Sequence, residues 1–459
     1  MKTFSIEPHV AGEVRLGSTK DANVIWVGRV AEKANEDRLF FDASDNFVVL
    51  EVGKRGSGKS YGMGSMLEAF ATGPNSVIGR HAEKRGVLLL DPLDIHWTAV
   101  EPLRPAGPPG MVKQYGVLSA WGGLQVEPIS VRAFVPAGFQ WDIDHPAFQP
   151  YELPVSDLDA ADWAHLLNCD LINETRGRLI DEVYIKTTDT GSVRGGFHHR
   201  ARADYSVQDL IDCAEQDDDI AAFYHAETIR SVVQPLRAYA RMPLFASRQG
   251  TPLTTLIEGG VLSIMCMGRL PADIRTVLTT VMIRRLRRDR MYASQIRRRL
   301  ALQSVTPAEQ AALQAEVLKH IPRTVLAIDE AQVLMPASEA SATRKEIDAY
   351  VLEGRNYGLS LWMATQRPKG AISNAATSQI DTFIVHRLSV KEDIDAVCGL
   401  LQNAQPETIR LQGRPLDLAG LIRSLDVGQA VFSSATSSAT RLVVGTIRPR
   451  MVAHGGEAF

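Results

Sequence analysis

A glycine-rich loop constrains this chain more than any other feature. Residues 53–60 read GKRGSGKS and directly follow the mostly apolar run 47–52. This pattern predicts a strand, a G-x-x-x-x-G-K-[ST] loop and then a helix, which together bind a nucleoside triphosphate, either ATP or GTP. Lys59 is expected to contact the β- and γ-phosphates, and the hydroxyl of Ser60 is expected to bind Mg²⁺. The predicted nucleotide-binding residues are Gly53, Gly56, Ser57, Gly58, Lys59, Ser60 and Tyr61.

The composition is that of a globular protein with a full hydrophobic core. Of the 459 residues, 45% are hydrophobic and 22% are charged, and the net charge of −3 means that any surface for nucleic acid has to be local. The four cysteines form no C-x-x-C pair, which argues against a zinc site or a disulfide framework. Because no segment has the length of an apolar membrane span, we expect a soluble, cytoplasmic protein without a membrane partner.

The order of apolar runs predicts a mainly parallel sheet covered by helices. Continuous apolar runs alternate with stretches of helical periodicity, and strands of this kind are buried on both faces. The pattern therefore indicates an α/β fold. The predicted strands lie at 87–91, 260–267, 324–329, 359–365, 381–386, 428–432 and 442–446, and the predicted helices lie at 58–71, 272–299 and 306–319.

Three regions depart from this pattern. Residues 1–45 contain short alternating runs, which predict a small β-barrel or sheet. Residues 155–250 change to helical periodicity after S-x-x-D capping-box sequences at Ser156 and Ser206, which indicates a helical insertion. Residues 102–110 are rich in proline and glycine and are predicted to form a surface loop.

Two adjacent acids form the predicted catalytic centre. Residues 324–330 read TVLAIDE, so a buried strand would deliver Asp329 and Glu330 to the carboxyl edge of the sheet. Asp329 is expected to hold the Mg²⁺ ligand sphere through water, and Glu330 to polarise the attacking water, which favours hydrolysis. The alternative is an ordinary strand end with an acidic helix cap. A later strand ends at Gln366, whose amide would lie beside the γ-phosphate or serve only as a polar cap.

These motifs together resemble the FtsK–HerA superfamily of ring-forming, DNA-pumping ATPases, and within it the HerA-like proteins. The resemblance covers most of the chain and rests on GKRGSGKS, GGVLSIMCMGRLPADIR, VLAIDEAQ, EGRNYGLSLWMATQRP, SQIDTFIVHRL and the segments RPR and HGG near the end. It implies a RecA-like P-loop NTPase core with a small N-terminal β-barrel and a helical insertion. The implied domains are the barrel at 1–45, the first part of the core at 46–150, the insertion at 151–252, the second part of the core at 253–440, and a C-terminal strand and tail at 441–459.

The resemblance also implies the assembly and the cofactors. It implies a homohexamer that hydrolyses ATP with Mg²⁺ and holds the nucleotide between neighbouring subunits. Arg355 of one subunit would reach the γ-phosphate of the next as an arginine finger, because a planar, permanently charged guanidinium stabilises the developing phosphoryl charge. The alternative is that Arg355 pairs with Glu353 or another surface acid.

Two positions differ from the HerA-like pattern. HerA-like proteins commonly carry Asp-Pro-His-Gly-Glu-Tyr at the second strand, where this chain reads DPLDIH from Asp91 to His96. Asp91 matches and is a predicted site residue, whereas Asp94 stands in a displaced position. HerA-like proteins often have a basic residue before the P-loop strand, where this chain reads ASDNF at 43–47, and Arg55 is the candidate replacement.

An arginine-rich helix is the strongest basic cluster of the sequence. Leu278, Met282 and Leu286 recur four residues apart, so one face is expected to lie in the core and another to carry charge. The charged face would contact DNA phosphates in a ring channel, or it would be solvated or paired with acids. Its arginines are Arg284, Arg285, Arg287, Arg288, Arg290, Arg297, Arg298 and Arg299.

Two functions are compatible with these features. The first is a hexameric ATP-hydrolysing translocase or helicase-type motor on double-stranded DNA. By resemblance, it would work with a nuclease or another effector bound through the N-terminal barrel, in DNA end processing or anti-phage defence. The alternative is an ATP-regulated ring scaffold that assembles and activates an effector with little DNA translocation. Stimulation of ATP turnover by DNA distinguishes the two.

Overall fold

The chain divides into two units. The computed structural model describes residues 12–18, 20–31, 37–141, 144–246, 248–302, 306–335, 342–368, 373–401, 409–411, 414–434 and 442–455. The first unit comprises Met1–Ala133, Ile257–Gly268 and Arg287–Phe459, and the second comprises Phe134–Leu256 and Arg269–Leu286.

The strands and helices alternate along much of the chain. The strands are β1 (Glu13–Gly17), β2 (Asn23–Val30), β3 (Arg38–Asp42), β4 (Val48–Val52), β5 (Gly79–His81), β6 (Gly86–Asp91), β7 (Val131–Pro136), β8 (Phe148–Tyr151), β9 (Ser192–Arg194), β10 (Phe197–His199), β11 (Leu262–Cys266), β12 (Thr324–Ile328), β13 (Leu359–Thr365), β14 (Thr382–Val385), β15 (Ile409–Leu411), β16 (Arg414–Leu416), β17 (Gln429–Ser434) and β18 (Leu442–Ile447). The helices are α1 (Lys59–Glu68), α2 (Pro109–Ala120), α3 (Ala160–Leu166), α4 (Thr175–Ile185), α5 (Val207–Gln216), α6 (Asp218–Phe223), α7 (Ala226–Ala240), α8 (Leu253–Leu256), α9 (Ala272–Leu302), α10 (Pro307–Val317), α11 (Ala331–Leu334), α12 (Ala342–Tyr357), α13 (Asn374–Thr377), α14 (Lys391–Leu400) and α15 (Leu418–Ser424).

A mainly parallel sheet forms the centre of the first unit. The strands β11, β6, β12, β13, β4 and β14 lie side by side in this order, all parallel. Thr365 lies opposite Val52, and Ile328 lies opposite Leu90. The carboxyl ends of β4, β6, β12 and β13 therefore meet at one edge, where an α/β fold places its ligand site.

Burial explains why these apolar runs form parallel strands. Every residue of β4, β6, β12 and β13 is buried, as expected for strands that helices cover on both faces. Trp362 on β13 packs edge-to-face against Phe41 and Phe47, with ring centroids 6.1 Å apart in both pairs. The predicted α/β class with a mainly parallel sheet is confirmed.

The N-terminal strands continue this sheet through antiparallel pairs, except that β1 pairs with β3 in parallel. The order runs from β14 through β17, β18, β2 and β3 to β1, and β5 pairs with β2. The described part of residues 1–45 therefore consists of three strands at the edge of the sheet. Residues 1–11, 19 and 32–36 lie outside the described residues, and the separate barrel stays a prediction, as do the other implied domain limits.

The second unit contains the helices α3 to α8 and the β9–β10 hairpin. Ser206 begins α5 with a capping box to Asp209, as predicted. The capping box predicted at Ser156 is wrong, because Asp159 and Asp162 form the box that begins α3. An aspartate accepts the backbone N–H groups of a first turn as well as serine does, so the sequence offered both positions.

The segment predicted as a loop at 102–110 is partly helical. Helix α2 begins at Pro109, which lacks only an N–H group that has no partner within the first turn of a helix. The prediction gave too much weight to proline as a helix breaker. Within the described residues, no helix is both long enough and apolar enough to cross a bilayer.

Candidate functional site

The P-loop joins the end of β4 to the start of α1. Gly56 and Gly58 have φ angles of 74° and 97°, in the left-handed region that favours glycine. A Cβ atom on Gly53 would lie 2.5 Å from the Oγ atom of Ser57 and 2.8 Å from the Cβ atom of His386. The loop therefore needs glycine for its turns and for its close packing against His386, the residue after β14.

A cavity of about 1040 Å³ opens at the P-loop. Seven predicted site residues line it, namely Gly56, Gly58, Lys59, Ser60, Tyr61, Glu330 and Gln366. Arg55, the candidate for the basic contact within the subunit, also lines the cavity. Of the other predicted residues, Gly53, Ser57, Asp91, Asp329 and Arg355 are described by the structure but are not part of the lining.

The P-loop lysine is held by the two predicted catalytic acids. The Nζ atom of Lys59 lies 2.9 Å from Oδ1 of Asp329 and 3.1 Å from Oε1 of Glu330, and all three side chains are buried. Burial alone would lower the pKa of Lys59, but the two carboxylates outweigh it and raise the pKa. Burial alone would also raise the pKa of Asp329, but Lys59 and His96 hold it well below its usual range. The site therefore keeps a charged ammonium beside charged carboxylate.

Glu330 is held by two glutamines in a strained backbone conformation. Its φ and ψ angles are 45° and 52°, a left-handed conformation that is unusual for a residue other than glycine. The Nε2 group of Gln366 donates to Oε1 of Glu330 at 2.9 Å, and the amide of Gln332 donates to the other carboxylate oxygen. The hydroxyl of Thr365 donates to Oε1 of Gln332 at 2.8 Å. This network sets the direction in which the Glu330 carboxylate points.

Asp91 and His96 support the acids from the end of β6. Asp91 is buried and accepts the backbone N–H groups of Leu93 and His96, at 3.3 and 2.6 Å. Burial raises the pKa of Asp91 to about 6. The Nε2 atom of the buried His96 lies 3.0 Å from Oδ2 of Asp329. Asp94 points elsewhere, because its carboxylate accepts the backbone N–H of Gly268 at 2.8 Å.

The C-terminal segment lies against Tyr61. The hydroxyl of Tyr61 accepts the backbone N–H of Arg450 at 3.0 Å, and its ring packs edge-to-face on His454 at 5.3 Å. Burial, together with Arg450 and His96, lowers the pKa of His454 to about 2, so this imidazole is neutral. Pro449 and His454, from the segments RPR and HGG, thus form part of one wall of the cavity.

Arg355 lies at the opposite edge of the sheet from the P-loop. Its guanidinium pairs with Asp381 and donates to the carbonyl of Gln379 at 3.2 Å. Asp381 accepts the backbone N–H of Val48, the first residue of β4, at 2.9 Å. Since β4 has to span about 13 Å before the P-loop begins, Arg355 cannot reach the phosphate site of its own chain. The structure therefore shows the alternative in which Arg355 pairs with an acid, but the acid is Asp381 and not Glu353.

Two residues of the site had no predicted role. His96 stands within the DPLDIH segment, three positions after the histidine of the HerA-like pattern, and Gln332 belongs to the quoted AIDEAQ motif. Both were visible as polar residues near a strand end. The contact of His96 with Asp329 depends on β6 and β12 lying side by side, whereas Gln332 is only two residues from Glu330 in the sequence.

Several arginines of the arginine-rich helix α9 bind acidic side chains or carbonyl groups of this chain. Within the second unit, Arg284 pairs with Asp162 at 2.8 Å. Within the first unit, Arg287 pairs with Glu346 at 3.2 Å, and the buried Arg290 donates to the carbonyl of Ile321 at 2.8 Å. These contacts favour the interpretation of this face as paired with acids.

Comparison with known proteins identifies the fold. No family model and no curated protein matches the sequence. VirB4 of Thermoanaerobacter pseudethanolicus aligns with a TM-score of 0.50 at 13% identity, over 94% of this chain and 98% of that chain. The bacterial conjugative coupling protein TrwBdeltaN70 aligns with a TM-score of 0.48 at 11% identity, over 95% of this chain and 97% of that chain. The genome packaging NTPase B204 from Sulfolobus turreted icosahedral virus 2 has a TM-score of 0.25 at 14% identity, over 42% of this chain and 70% of that chain.

The fold and the P-loop site define the class of protein, which is a P-loop ATPase. The likeness to VirB4 concerns the fold alone. The P-loop NTPase core that the resemblance of the sequence motifs implies is thereby confirmed as a fold.

Proposed function

We propose that this chain is an ATP-hydrolysing DNA motor that assembles as a homohexamer. The observation that carries the proposal is the separation of the catalytic parts. Lys59, Glu330 and Gln366 line one cavity, whereas Arg355 lies at the other edge of the sheet. An arginine in that position can serve hydrolysis only in the cavity of a neighbouring subunit, which requires a ring or a comparable assembly.

The contacts of Lys59 suggest how nucleotide binding prepares the site. The triphosphate would attract the Lys59 ammonium to its β- and γ-phosphates and away from the two carboxylates. Glu330 would then be free to accept a proton from the attacking water, while Gln366 keeps its carboxylate in position. Arg355 of the neighbour would stabilise the charge that develops on the γ-phosphate.

The residues present fit Mg²⁺ as the accompanying ion. Ser60 offers a hydroxyl in the cavity, and Lys59 and His96 hold the carboxylate of Asp329 in place. Oxygen donors of this kind suit Mg²⁺, which usually binds through one or two protein ligands and the substrate phosphates. Among the described residues, no group of three or more His, Cys, Asp or Glu side chains forms a metal cage, so the ion would arrive with the nucleotide. When bound, it neutralises phosphate charge.

The proposed partners are double-stranded DNA and an effector protein. The effector, a nuclease or another enzyme, would bind through residues 1–45 and supply an activity for which this chain has no motif. The role would be DNA end processing or anti-phage defence. These partners rest on the resemblance of the motifs to HerA-like proteins.

The test is steady-state ATP hydrolysis with and without linear duplex DNA, together with the mass of the particle in solution. We expect a hexamer whose turnover rises several-fold with DNA, and a Lys59→Ala variant that neither binds ATP nor turns it over. A hexamer with turnover indifferent to DNA would contradict the motor and support the scaffold. A fully active monomer would contradict the ring.

A further inference from the structure

A short hairpin in the second unit is held in a defined conformation. Strands β9 and β10 pair antiparallel, with Phe197 opposite Arg194. The turn between them is Gly195-Gly196, and both glycines have positive φ angles, of 56° and 78°, as a two-residue hairpin turn requires. The carboxylate of Asp218 accepts the N–H groups of both glycines, at 3.1 and 2.8 Å. The hairpin is therefore a fixed element of the unit.

The hairpin and the residues after it carry only positive and neutral side chains. Residues 192–202 read SVRGGFHHRAR, with three arginines, two histidines and no acid. Among the residues that the structure describes, the side chains of Arg200 and Arg202 have no ion-pair or hydrogen-bond partner. The Nε atom of Arg194 is buried and likewise lacks a described partner. Arg194 also donates from Nη1 to Oε1 of Gln216 at 3.3 Å, whereas the side chains of Arg200 and Arg202 are not used to stabilise the fold.

A cationic cavity of about 370 Å³ lies at the base of the hairpin. Its basic lining residues are Lys186, Arg194, His199, Arg200 and Arg202. The described lining contains one carboxylate, Asp209, and this carboxylate already pairs with Arg248 at 3.1 Å. The nearby acids Asp217 and Asp219 pair with Lys186, at 3.1 and 2.7 Å. The remaining arginines favour an anion in this cavity.

An exposed aromatic side chain stands beside these cations. Phe197, directly after the turn, is 76% exposed, and the next three residues are exposed as well. A phenylalanine in this position contributes nothing to the core of its own unit. On surfaces that bind duplex DNA, cations contact phosphates, and an exposed apolar ring can insert between base steps from the minor groove.

We propose that the hairpin segment 192–202 is the DNA-contacting element of the second unit. Arg194, Arg200 and Arg202 contact backbone phosphates, and Phe197 packs against the nucleotides between them. This inference rests on the proposed function, since it names the surface through which the motor holds DNA. It also assigns DNA contact to a part of the chain other than the arginine-rich helix α9, several of whose arginines have partners within the protein.

The first experiment measures binding of the full-length protein to a labelled linear duplex over a range of salt concentrations. In the variant with Arg194→Gln, Arg200→Gln and Arg202→Gln, we expect the Kd to rise at least about tenfold and the slope of log K against log salt to fall by about two or more. The matched control replaces three exposed arginines of the same unit, Arg178, Arg230 and Arg241, by glutamine. The control changes the net charge equally and is expected to retain the slope.

The second experiment tests the aromatic contact. We expect Phe197→Ala to weaken duplex binding about three- to tenfold at an unchanged salt slope, because it removes an apolar contact and no charge. Phe223→Ala is the control, since Phe223 is 86% exposed in the same unit but lies away from the hairpin sequence. ATP hydrolysis without DNA should equal that of the wild type in every variant, which shows that folding and assembly are intact.

The outcomes separate this inference from the proposed function. If the wild type binds duplex and the triple hairpin variant binds it equally well, the hairpin assignment is wrong and the motor stands. If the wild type binds no duplex at any salt concentration, both are wrong. If the hairpin variant loses affinity for polyglutamate but keeps its affinity for duplex, the surface binds an acidic protein and the DNA assignment is overturned.

Discussion

At the scale of single residues, the described arrangement of the site is stabilised by charge pairing at the position where phosphate would bind. Lys59 is buried between Asp329 and Glu330, and a buried ammonium is stable only beside such partners. The same contacts occupy Glu330, whose backbone is already strained. A triphosphate that attracts Lys59 would therefore also break the ion pair of Glu330. Nucleotide binding would in this way free the Glu330 carboxylate to accept a proton from water.

Glu330→Gln tests this coupling. The amide keeps the shape of the side chain but cannot accept a proton from water, so turnover should fall about 10²- to 10⁴-fold. ATP binding should change by no more than a few-fold, because Lys59 keeps Asp329 as a partner. The measurement is single-turnover hydrolysis together with equilibrium binding of ATP. Glu316→Gln, a glutamate of α10 whose side chain is 46% exposed, is the control. Turnover near that of the wild type would show that Glu330 is not the base.

At the scale of elements, α1 is tied to the segment after β18 by a buried charge network. Glu68, at the end of α1, accepts Nη1 of Arg448 at 2.7 Å and the backbone N–H of Met451 at 2.9 Å. Both charged side chains are inaccessible to solvent. Because α1 carries the P-loop and the C-terminal segment forms a wall of the cavity, this network fixes two sides of the nucleotide site relative to each other.

Glu68→Gln should therefore destabilise the protein strongly. It leaves the Arg448 guanidinium buried without a counter-charge, which typically lowers the free energy of unfolding by about 3–5 kcal/mol. Asp45→Asn is the matched control, because it breaks the exposed pair with Lys20 and should cost less than about 1 kcal/mol. The measurement is urea unfolding followed by circular dichroism. Equal effects of the two variants would mean that the buried pair contributes no more than a surface pair.

At the scale of the whole molecule, the position of Arg355 would connect catalysis to assembly in the proposed ring. It lies at the amino ends of the parallel strands, and the P-loop lies at their carboxyl ends. A subunit with this layout would offer its finger on one face and its nucleotide on another, as a closed ring with heterologous contacts needs. Its pairing with Asp381 would hold the guanidinium ready for such a contact.

Mixing mutant subunits tests the shared site. Arg355→Ala should lower turnover about 10³-fold or more with ATP affinity nearly unchanged, because the finger acts on the developing charge of the transition state. Lys59→Ala should be inactive through loss of binding. Mixed rings should recover activity at the interfaces that combine an intact P-loop with an intact finger, measured as turnover over a range of mixing ratios. An absence of recovery, once subunit exchange is demonstrated, would contradict a finger acting between subunits.

Much of the fold could be predicted because its signals are local. The P-loop spacing, the apolar runs of β6, β12 and β13, and the capping box at Ser206 each lie within a few residues, and each formed as expected. The errors also have local causes. The proline content predicts a loop at 102–110, where Pro109 begins α2, and the sequence pattern predicts a cap at Ser156, where Asp159 caps α3. In each case the local sequence was compatible with two structures, and contacts with neighbouring residues decided which one formed.

The sequence by itself determined that this chain is a P-loop protein with a parallel sheet, because glycine positions and strand periodicity depend on nearest neighbours. Only the tertiary structure decided which groups meet. Lys59 and Asp329 are 270 positions apart, and parallel pairing through β13 and β12 brings them to 2.9 Å. Tertiary structure likewise placed Arg355 away from the P-loop cavity of its own chain. It also gathered the arginines of segment 192–202 around the cavity at the base of the hairpin. No local pattern encodes such distances, since they arise from the order in which strands and helices pack.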